Sequence, residues 1–186
     1  ENKVSPEPMV FRKSIKAKGK VKKAYLYATA LGLYQCSIDG KRVGKRYFAP
    51  GFTSYKNNLQ YQQYDVTDMM SANKESLLEF TVTGGWAVGS FIYSRKNRFA
   101  SDKQALKAQL HLIYDDNEEE VIGTDASFDV TRKANLKMAD LYDGELYDST
   151  VAANDLKFKK ASVFSPRVNP RIYAECGSPV TEHEDL

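Results

Sequence analysis

Histidine, cysteine and tryptophan are scarce in this sequence of 186 residues, which contains two, two and one of them. His111 lies between two leucines of an apolar segment and His183 lies in a polar end, so a histidine catalyst is not indicated. Cys36 and Cys176 lie in apolar, strand-like surroundings that predict buried thiols, and a disulfide between them is left open. The spacing of these residues fits no common zinc site. The sequence therefore predicts no metal ion and no cofactor.

Long apolar runs and concentrated charge are missing as well. No run of about 18 apolar residues is present, so a membrane-spanning helix is excluded, and the first residues lack the apolar region of a signal peptide. An export signal removed earlier would leave no trace, and a periplasmic or secreted location is then favoured. The net charge is +3, and the basic residues are scattered except for a lysine run within residues 16–23. A nucleic-acid binder usually has a more continuous basic surface, so this run is interpreted as a solvated strand face or a hairpin around Gly19.

Short alternating segments separated by turn residues recur along the chain and predict an all-β fold. The predicted strands cover residues 9–15, 24–30, 34–38, 61–65, 77–83, 104–114, 119–124 and 128–132. Their number and spacing are typical of an antiparallel β-sandwich of jelly-roll, galactose-binding-like type. We expect residues 1–20 to form a lead-in and the first strand, and residues 21–152 the sandwich core. Residues 153–186 then form a closing strand and a linker toward a following domain.

Two tight turns are predicted between these strands. Asp39 followed by Gly40 is a strong signal for a two-residue hairpin, with Gly40 at positive φ. The polar segment Asp-Asp-Asn-Glu at 115–118 separates two alternating segments, which indicates a solvated hairpin loop rather than a calcium-binding loop.

Four residues are candidates for carbohydrate binding: Tyr55, Asn57, Asn58 and Trp86. A pyranose has an apolar C–H face that stacks on an aromatic ring, and it has hydroxyls that suit the donors and acceptors of amide side chains. Phe52 lies beside this loop in sequence. The alternative for Trp86 is core packing beside the glycine pair that precedes it, since a lone tryptophan in a small domain is usually mostly buried.

Four carboxylates form the one cluster in the sequence that resembles an acid/base pair: Asp140, Asp143, Glu145 and Asp148. Glycoside hydrolysis needs two carboxyl groups held across the scissile bond, and sequence spacing does not give their separation. The alternative is a turn at Asp143 and Gly144, in which the carboxylates accept backbone or arginine hydrogen bonds. We favour the turn.

Six segments together resemble the amino-terminal β-sandwich domain of bacterial α-L-rhamnosidases. They are Gly-Leu-Tyr at 32–34, Asp-Gly-Lys-Arg-Val-Gly at 39–44, Ala-Pro-Gly-Phe-Thr-Ser-Tyr at 49–55, Tyr-Gln-Gln-Tyr-Asp-Val-Thr at 61–67, Gly-Gly-Trp-Ala-Val-Gly at 84–89 and Ala-Asp-Leu-Tyr-Asp-Gly-Glu-Leu-Tyr-Asp at 139–148. The resemblance covers roughly residues 23–148. Where the family has Pro-Gly-Trp, this chain has Phe52, a smaller ring without an N–H donor.

The resemblance implies an accessory domain without catalytic residues of its own. In the family, an inverting acid/base pair that releases terminal L-rhamnose lies in a separate helical barrel further along the parent chain. The implied partners are therefore a rhamnose-containing glycan and that barrel. Two rivals are kept, namely a structural linker domain without a ligand and a glycosidase site near Asp143.

The resemblance also raises the question of calcium. In related modules that bind L-rhamnose, an acidic residue and a neighbouring amide in a loop hold a calcium ion that bridges to sugar hydroxyls. If that pair falls in the present loop, Lys56 occupies the place of the acid, beside Asn57. Because an ammonium group repels a cation, we expect any glycan binding here to be independent of calcium.

Overall fold

Strands make up most of the regular structure, as the alternating segments predict. The computed structural model of the protein describes residues 5–91, 94, 96–152, 155–165 and 169–182. Its strands are β1 Met9–Lys16, β2 Val21–Leu31, β3 Leu33–Ile38, β4 Lys41–Arg42, β5 Arg46–Tyr47, β6 Asn58–Asp65, β7 Glu75–Thr83, β8 Ala105–Tyr114, β9 Glu119–Gly123, β10 Asp129–Thr131, β11 Leu136–Asp140, β12 Gly144–Tyr147, β13 Lys159–Lys160, β14 Arg171–Ala174 and β15 Val180–Thr181. A short helix, α1, covers Gly85–Val88, and a 3-10 turn covers Thr67–Met69.

Two main sheets carry the fold. The first has the strand order β13-β10-β1-β7-β3-β4, and the second has the order β14-β6-β2-β8-β9. The pairings within both sheets are antiparallel except that β14 runs parallel to β6, with Arg171 opposite Asn58. The strands β11 and β12 form a separate hairpin, and β15 pairs with β5. The predicted all-β sandwich is confirmed, whereas the parallel edge strand was not foreseen.

The core lies between the two sheets and follows the alternation of the sequence. In β2, Ala24, Leu26 and Ala28 are buried, and they belong to one cluster with Phe80 and Val82 of β7. The small alanine side chains leave room for the ring of Phe80, which is fully buried. Burial of alternate residues on both sheets supplies the main hydrophobic stabilisation of the domain.

Both predicted turns are present. Ile38 pairs with Lys41 across the first, where Asp39 has a φ of 50° and Gly40 a φ of 76°, as a type I′ turn requires. The Asp39 carboxylate also accepts the backbone N–H of Leu77 at 2.8 Å, which ties the turn to β7. In the second turn, the backbone N–H of Tyr114 donates to the carbonyl oxygen of Glu118, which closes the acidic loop. The lysine run of residues 16–23 is exposed around Gly19.

The cysteines differ from each other. Cys36 is buried in β3, and burial raises the pKa of its thiol well above the ordinary value. Cys176 is exposed, so the expectation of a buried thiol was wrong there, because the chain after β14 follows the edge of a sheet. Both thiols are free. His111 is partly exposed in β8, with its ring against Tyr27, whereas His183 lies outside the described residues. Among the described residues, no helix is long and apolar enough to cross a membrane.

Candidate functional site

The helix α1 places Trp86 beside the loop that holds the other candidate residues. Gly85 has a φ of 50°, and a Cβ atom at this position would lie 2.6 Å from the side chain of Leu33. A side chain is therefore excluded, and the chain turns sharply into the helix. Trp86 is partly buried and packs against a small cluster that includes Leu59 and Val88. Neither of the two expectations for Trp86 holds completely, because part of its ring is buried and part is accessible.

The loop before β6 is held by its own hydrogen bonds. The Ser54 carbonyl oxygen accepts the backbone N–H groups of Asn57 and Asn58 at 2.7 and 2.8 Å. The Thr53 hydroxyl donates to the Asn58 carbonyl oxygen at 2.7 Å. The side chains of Asn57 and Asn58 remain exposed. The amide groups that the sequence predicts for hydroxyl recognition are thus presented on a fixed backbone.

Tyr55 has a different environment from the one expected for a stacking ring. It is only 6% exposed, and its hydroxyl donates to the Gly51 carbonyl oxygen at 2.8 Å. Burial raises the pKa of this hydroxyl above its ordinary value. Phe52 lies on top of it, 62% exposed, with ring centroids 6.2 Å apart. The accessible ring of the loop is therefore that of Phe52, and Tyr55 supports it from below.

Five aromatic rings form a strip on this surface, in the order Phe48, Trp86, Phe52, Phe91 and Phe99. Successive ring centroids are 6.0, 5.7, 5.8 and 5.6 Å apart. The ring planes of Phe52 and Phe91 are nearly parallel, at 13°. A hollow of about 240 Å³ lies beside the strip and is lined by Phe52, Trp86, Phe91 and Phe99 together with residues 53–56. We refer to the hollow, with the rings that line it, as the aromatic hollow.

The sequence alone did not predict three of these rings as part of the surface, namely Phe48, Phe91 and Phe99. Phe48 follows β5, whereas Phe91 and Phe99 lie in the connection between α1 and β8, so that only the fold brings the three rings together. The available signal was that three large apolar side chains occur outside any predicted strand. Phe48 and Phe99 are 47% and 48% exposed, which is unusual enough for phenylalanine to mark a surface.

The carboxylates of residues 140–148 shape the β11–β12 hairpin. Asp140 is buried, and its two oxygens accept the backbone N–H groups of Ser90, Tyr142 and Asp143 at 3.0, 2.9 and 3.3 Å. Burial raises the pKa of this carboxyl, but these donors outweigh it, and the resulting pKa lies below its ordinary value. Asp148 accepts both the hydroxyl and the backbone N–H of Thr150, and these bonds lower its pKa. Asp140 and Asp148 therefore have the structural environment expected of turn residues.

A family model described as the alpha-L-rhamnosidase N-terminal domain matches residues 19–174. The chain belongs to this family. An alpha-L-rhamnosidase from Streptomyces avermitilis is 38% identical over 130 residues, which cover 70% of this chain and 12% of that protein. One from Formosa agariphila is 28% identical over 142 residues, covering 76% of this chain and 15% of the relative. The match thus spans 12–15% of the length of these curated relatives.

Solved structures agree with this assignment to the α-L-rhamnosidase N-terminal domain family. The Streptomyces avermitilis alpha-L-rhamnosidase, solved in complex with L-rhamnose, aligns with a TM-score of 0.83 and 30% identity, over 97% of this chain and 18% of that one. The alpha-L-rhamnosidase from Dictyoglumus thermophilum aligns with a TM-score of 0.82 and 27% identity, over 94% of this chain and 20% of that one. The sandwich is therefore shared with domains of rhamnosidases of known structure.

Calcium does not fit the loop of this α-L-rhamnosidase domain. Residues 52–58 contain no carboxylate, and Lys56 places an ammonium group beside Asn57. Within the described parts of the chain, no group of three or more histidine, cysteine, aspartate or glutamate residues is arranged to hold a metal ion. Because calcium requires several oxygen ligands, usually including carboxylates, the residues of this loop are not suited to hold it.

Proposed function

We propose that this chain is a non-catalytic accessory domain of an α-L-rhamnosidase that binds a carbohydrate weakly at the aromatic hollow. The observation that carries the proposal is the contact of the exposed Phe52 ring with Trp86 at the hollow lined by residues 52–56, with the exposed amides of Asn57 and Asn58 directly following in the same loop. Exposed rings beside fixed amides supply both kinds of contact that a pyranose needs. The parent chain then hydrolyses terminal α-L-rhamnose with a catalytic domain outside these residues.

Rhamnose suits such a site chemically. As a 6-deoxy sugar it carries a methyl group and an apolar face, which stack on Phe52 or Trp86, while its ring hydroxyls meet Asn57 and Asn58. The Streptomyces avermitilis relative was solved in complex with L-rhamnose, which supports the choice of this sugar. Each neutral hydrogen bond replaces one to water and adds only about 1 kcal/mol, so a shallow site reaches about millimolar to high-micromolar affinity.

An accessory role is supported by the state of the carboxylates near residue 143. The Asp140 carboxylate accepts hydrogen bonds from three backbone N–H groups, and the Asp148 carboxylate accepts one from the Thr150 hydroxyl. A general acid for glycoside hydrolysis needs a raised pKa, whereas the pKa of both groups is lowered. The rival of a glycosidase site in this chain therefore has little support from these two residues.

A purely structural domain is the second candidate function. It is favoured by the burial of Tyr55 and by the internal hydrogen bonds that close residues 53–58. On this reading, the aromatic strip packs against another part of the parent chain.

The test is a titration of L-rhamnose into the ¹⁵N-labelled chain, followed by NMR with and without a chelator. Binding at the aromatic hollow predicts shifts of the backbone amides of residues 52–58 and of the Trp86 indole, unchanged by the chelator. Asn57→Ala should weaken the shifts, and the control Gln63→Ala, which removes an exposed amide on β6, should not. Shifts confined to other residues would show that the sugar does not bind at the aromatic hollow. Shifts that the chelator abolishes would show that a metal ion takes part in binding despite Lys56. The absence of any shift would favour the purely structural domain.

A further inference from the structure

A cavity larger than the aromatic hollow lies between the two main sheets and shares no lining residue with that hollow. It measures about 980 Å³, which is at the upper end of the range of about 300–1,000 Å³ typical of small-molecule sites. One wall comes from β1, β10 and β13 of the first sheet, and the other comes from β2, β8 and β14 of the second. We call this cavity the basic groove.

The charge of the basic groove is concentrated and of one sign. Among the described residues that line it, seven are cationic and one, Asp125, is acidic, so its lining carries +6. The whole chain carries only +3, so the rest of the molecule is acidic on balance. Asp125 already accepts hydrogen bonds from the backbone and the hydroxyl of Ser127, and it lies 3.7 Å from the Lys13 ammonium group. A concave surface of one sign attracts ligands of opposite charge.

The lysine side chains on both walls are available to a ligand. The ammonium groups of Lys103, Lys107, Lys133, Lys157 and Lys159 have no ion-pair or hydrogen-bond partner within the described residues. Lys107 belongs to β8 of the second sheet, Lys103 lies two residues before that strand, and Lys159 belongs to β13 of the first sheet. The lining of the groove therefore includes lysines from both sheets.

The floor of the basic groove is apolar, and two polar side chains that line the groove, those of Thr29 and Gln104, are already engaged. Met9, Phe11 and Leu106 contribute to it. The Thr29 hydroxyl donates to the Gln60 carbonyl oxygen at 2.6 Å, and Gln104 bonds to the Glu7 carbonyl oxygen and to Arg132. A sugar buried on this floor would lose hydrogen bonds to water without replacing them. An apolar chain or ring gains from the same burial.

From the apolar floor and the basic rim together we infer that the basic groove binds an amphiphilic anion, a small molecule with an apolar body and a carboxylate. The body lies along the floor, and the carboxylate meets the lysines at the rim. The occupant is distinct from the neutral sugar proposed for the aromatic hollow. This site stands whether or not the aromatic hollow binds rhamnose.

The test is isothermal titration calorimetry of the 186-residue chain with dodecanoate, kept below its micellar concentration. Dodecyl maltoside serves as the neutral amphiphile, and an oligogalacturonate serves as a carboxylate ligand without an apolar body. The triple variant Lys103→Gln, Lys107→Gln, Lys159→Gln removes charge from both walls. Its matched control is Lys16→Gln with Lys41→Gln, two exposed lysines outside the groove. All five changes are at exposed positions, and a thermal melt of each variant checks that it folds.

Dodecanoate should bind with one site per chain, and the triple variant should raise its dissociation constant on the order of three- to tenfold, with the control unchanged. Added salt should weaken binding in the same direction. Equal binding of dodecyl maltoside would overturn the role of the lysines. Binding of the oligogalacturonate but not of dodecanoate would show that the basic groove binds an acidic glycan and not an amphiphilic anion. Absence of binding by all three ligands would overturn the site.

Discussion

Arg46 Nε lies 2.7 Å from Glu175 Oε2 and so ties β5 to the chain that follows β14. Both side chains are mostly shielded, at 29% and 18% exposure. The other carboxylate oxygen of Glu175 accepts the Nε2–H of Gln62, which is fully buried, at 3.4 Å. The backbone N–H of Glu175 also donates to the Tyr61 carbonyl oxygen. The carboxyl-terminal part of the chain is thus bonded to the sandwich through both the side chain and the backbone of one residue.

Replacing this glutamate should therefore destabilise the domain. Glu175→Gln leaves the Arg46 guanidinium without its carboxylate in a shielded place, and we expect a loss of roughly 1–3 kcal/mol in the free energy of unfolding. Asp115→Asn is the matched control, since its pair with Lys20 is largely exposed. Chemical denaturation of both variants decides the point. Equal stability of the two would show that the Arg46 contact contributes no more than a surface pair.

The Asp39–Gly40 turn gives a second stability prediction. Gly40→Val forces a β-branched side chain into a φ of 76°, so the melting temperature should fall, with a cost of about 1–2 kcal/mol. The control is Gly177→Val, where an added Cβ meets no atom within 4 Å and φ is not in the left-handed region. If Gly40→Val has the same melting temperature as the parent, the turn does not hold the register of β3 and β4.

The buried carboxylate of Asp140 makes stability depend on pH. Its pKa in the folded chain is lowered from an ordinary value of 3.8, so the ionised form is favoured by folding. Its contribution is complete above the unfolded pKa and is lost as the pH falls through the lower, folded pKa. Unfolding free energies measured from pH 6 downward should show this loss, and Asp140→Asn should reduce the slope below the ordinary pKa. If the free energy of unfolding falls with decreasing pH equally in the parent and in the variant, Asp140 is not the source of this pH dependence.

The isolated chain should not hydrolyse an aryl α-L-rhamnoside above a buffer control. The hairpin carboxylates Asp140 and Asp148 have lowered pKa values, and neither is suited to protonate a leaving group at neutral pH. Release of the phenol is followed by absorbance. Turnover that disappears in Asp143→Asn or Glu145→Gln would contradict the accessory role and restore the glycosidase rival.

Local signals account for most of what the sequence predicts correctly. The Asp39–Gly40 turn depends on adjacent residues, and the strands β2, β7 and β8 show their alternating burial directly in the chain. The parallel strand β14 could not be predicted in this way. Its partner β6 lies more than a hundred residues earlier, and its own residues are largely exposed, so no apolar period marks it. The division into a lead-in, a core and a linker stays a prediction.

The candidate site was predicted only in part for the same reason. The loop of residues 52–58 was predicted because aromatic and amide residues are close together in sequence, and Trp86 was predicted because an aromatic ring stacks on the apolar face of a pyranose. Phe91 and Phe99 reach the aromatic hollow from the connection between α1 and β8. Tyr55 is buried, with its hydroxyl bonded to the Gly51 carbonyl oxygen, and Phe52 is the exposed ring of the loop instead. Side-chain exposure in a loop is set by tertiary packing, which residue type alone does not give.

The fluorescence of Trp86 provides the most direct test of carbohydrate binding at the aromatic hollow, because it is the single tryptophan of the chain. Titration with L-rhamnose into the millimolar range should change its emission in a saturable way, while a non-binding osmolyte at equal concentration should not. Phe52→Ala should weaken the response several-fold, since the exposed ring 5.7 Å from Trp86 is removed. An emission spectrum that does not change with L-rhamnose, in a chain that melts normally, would contradict the proposed binding function.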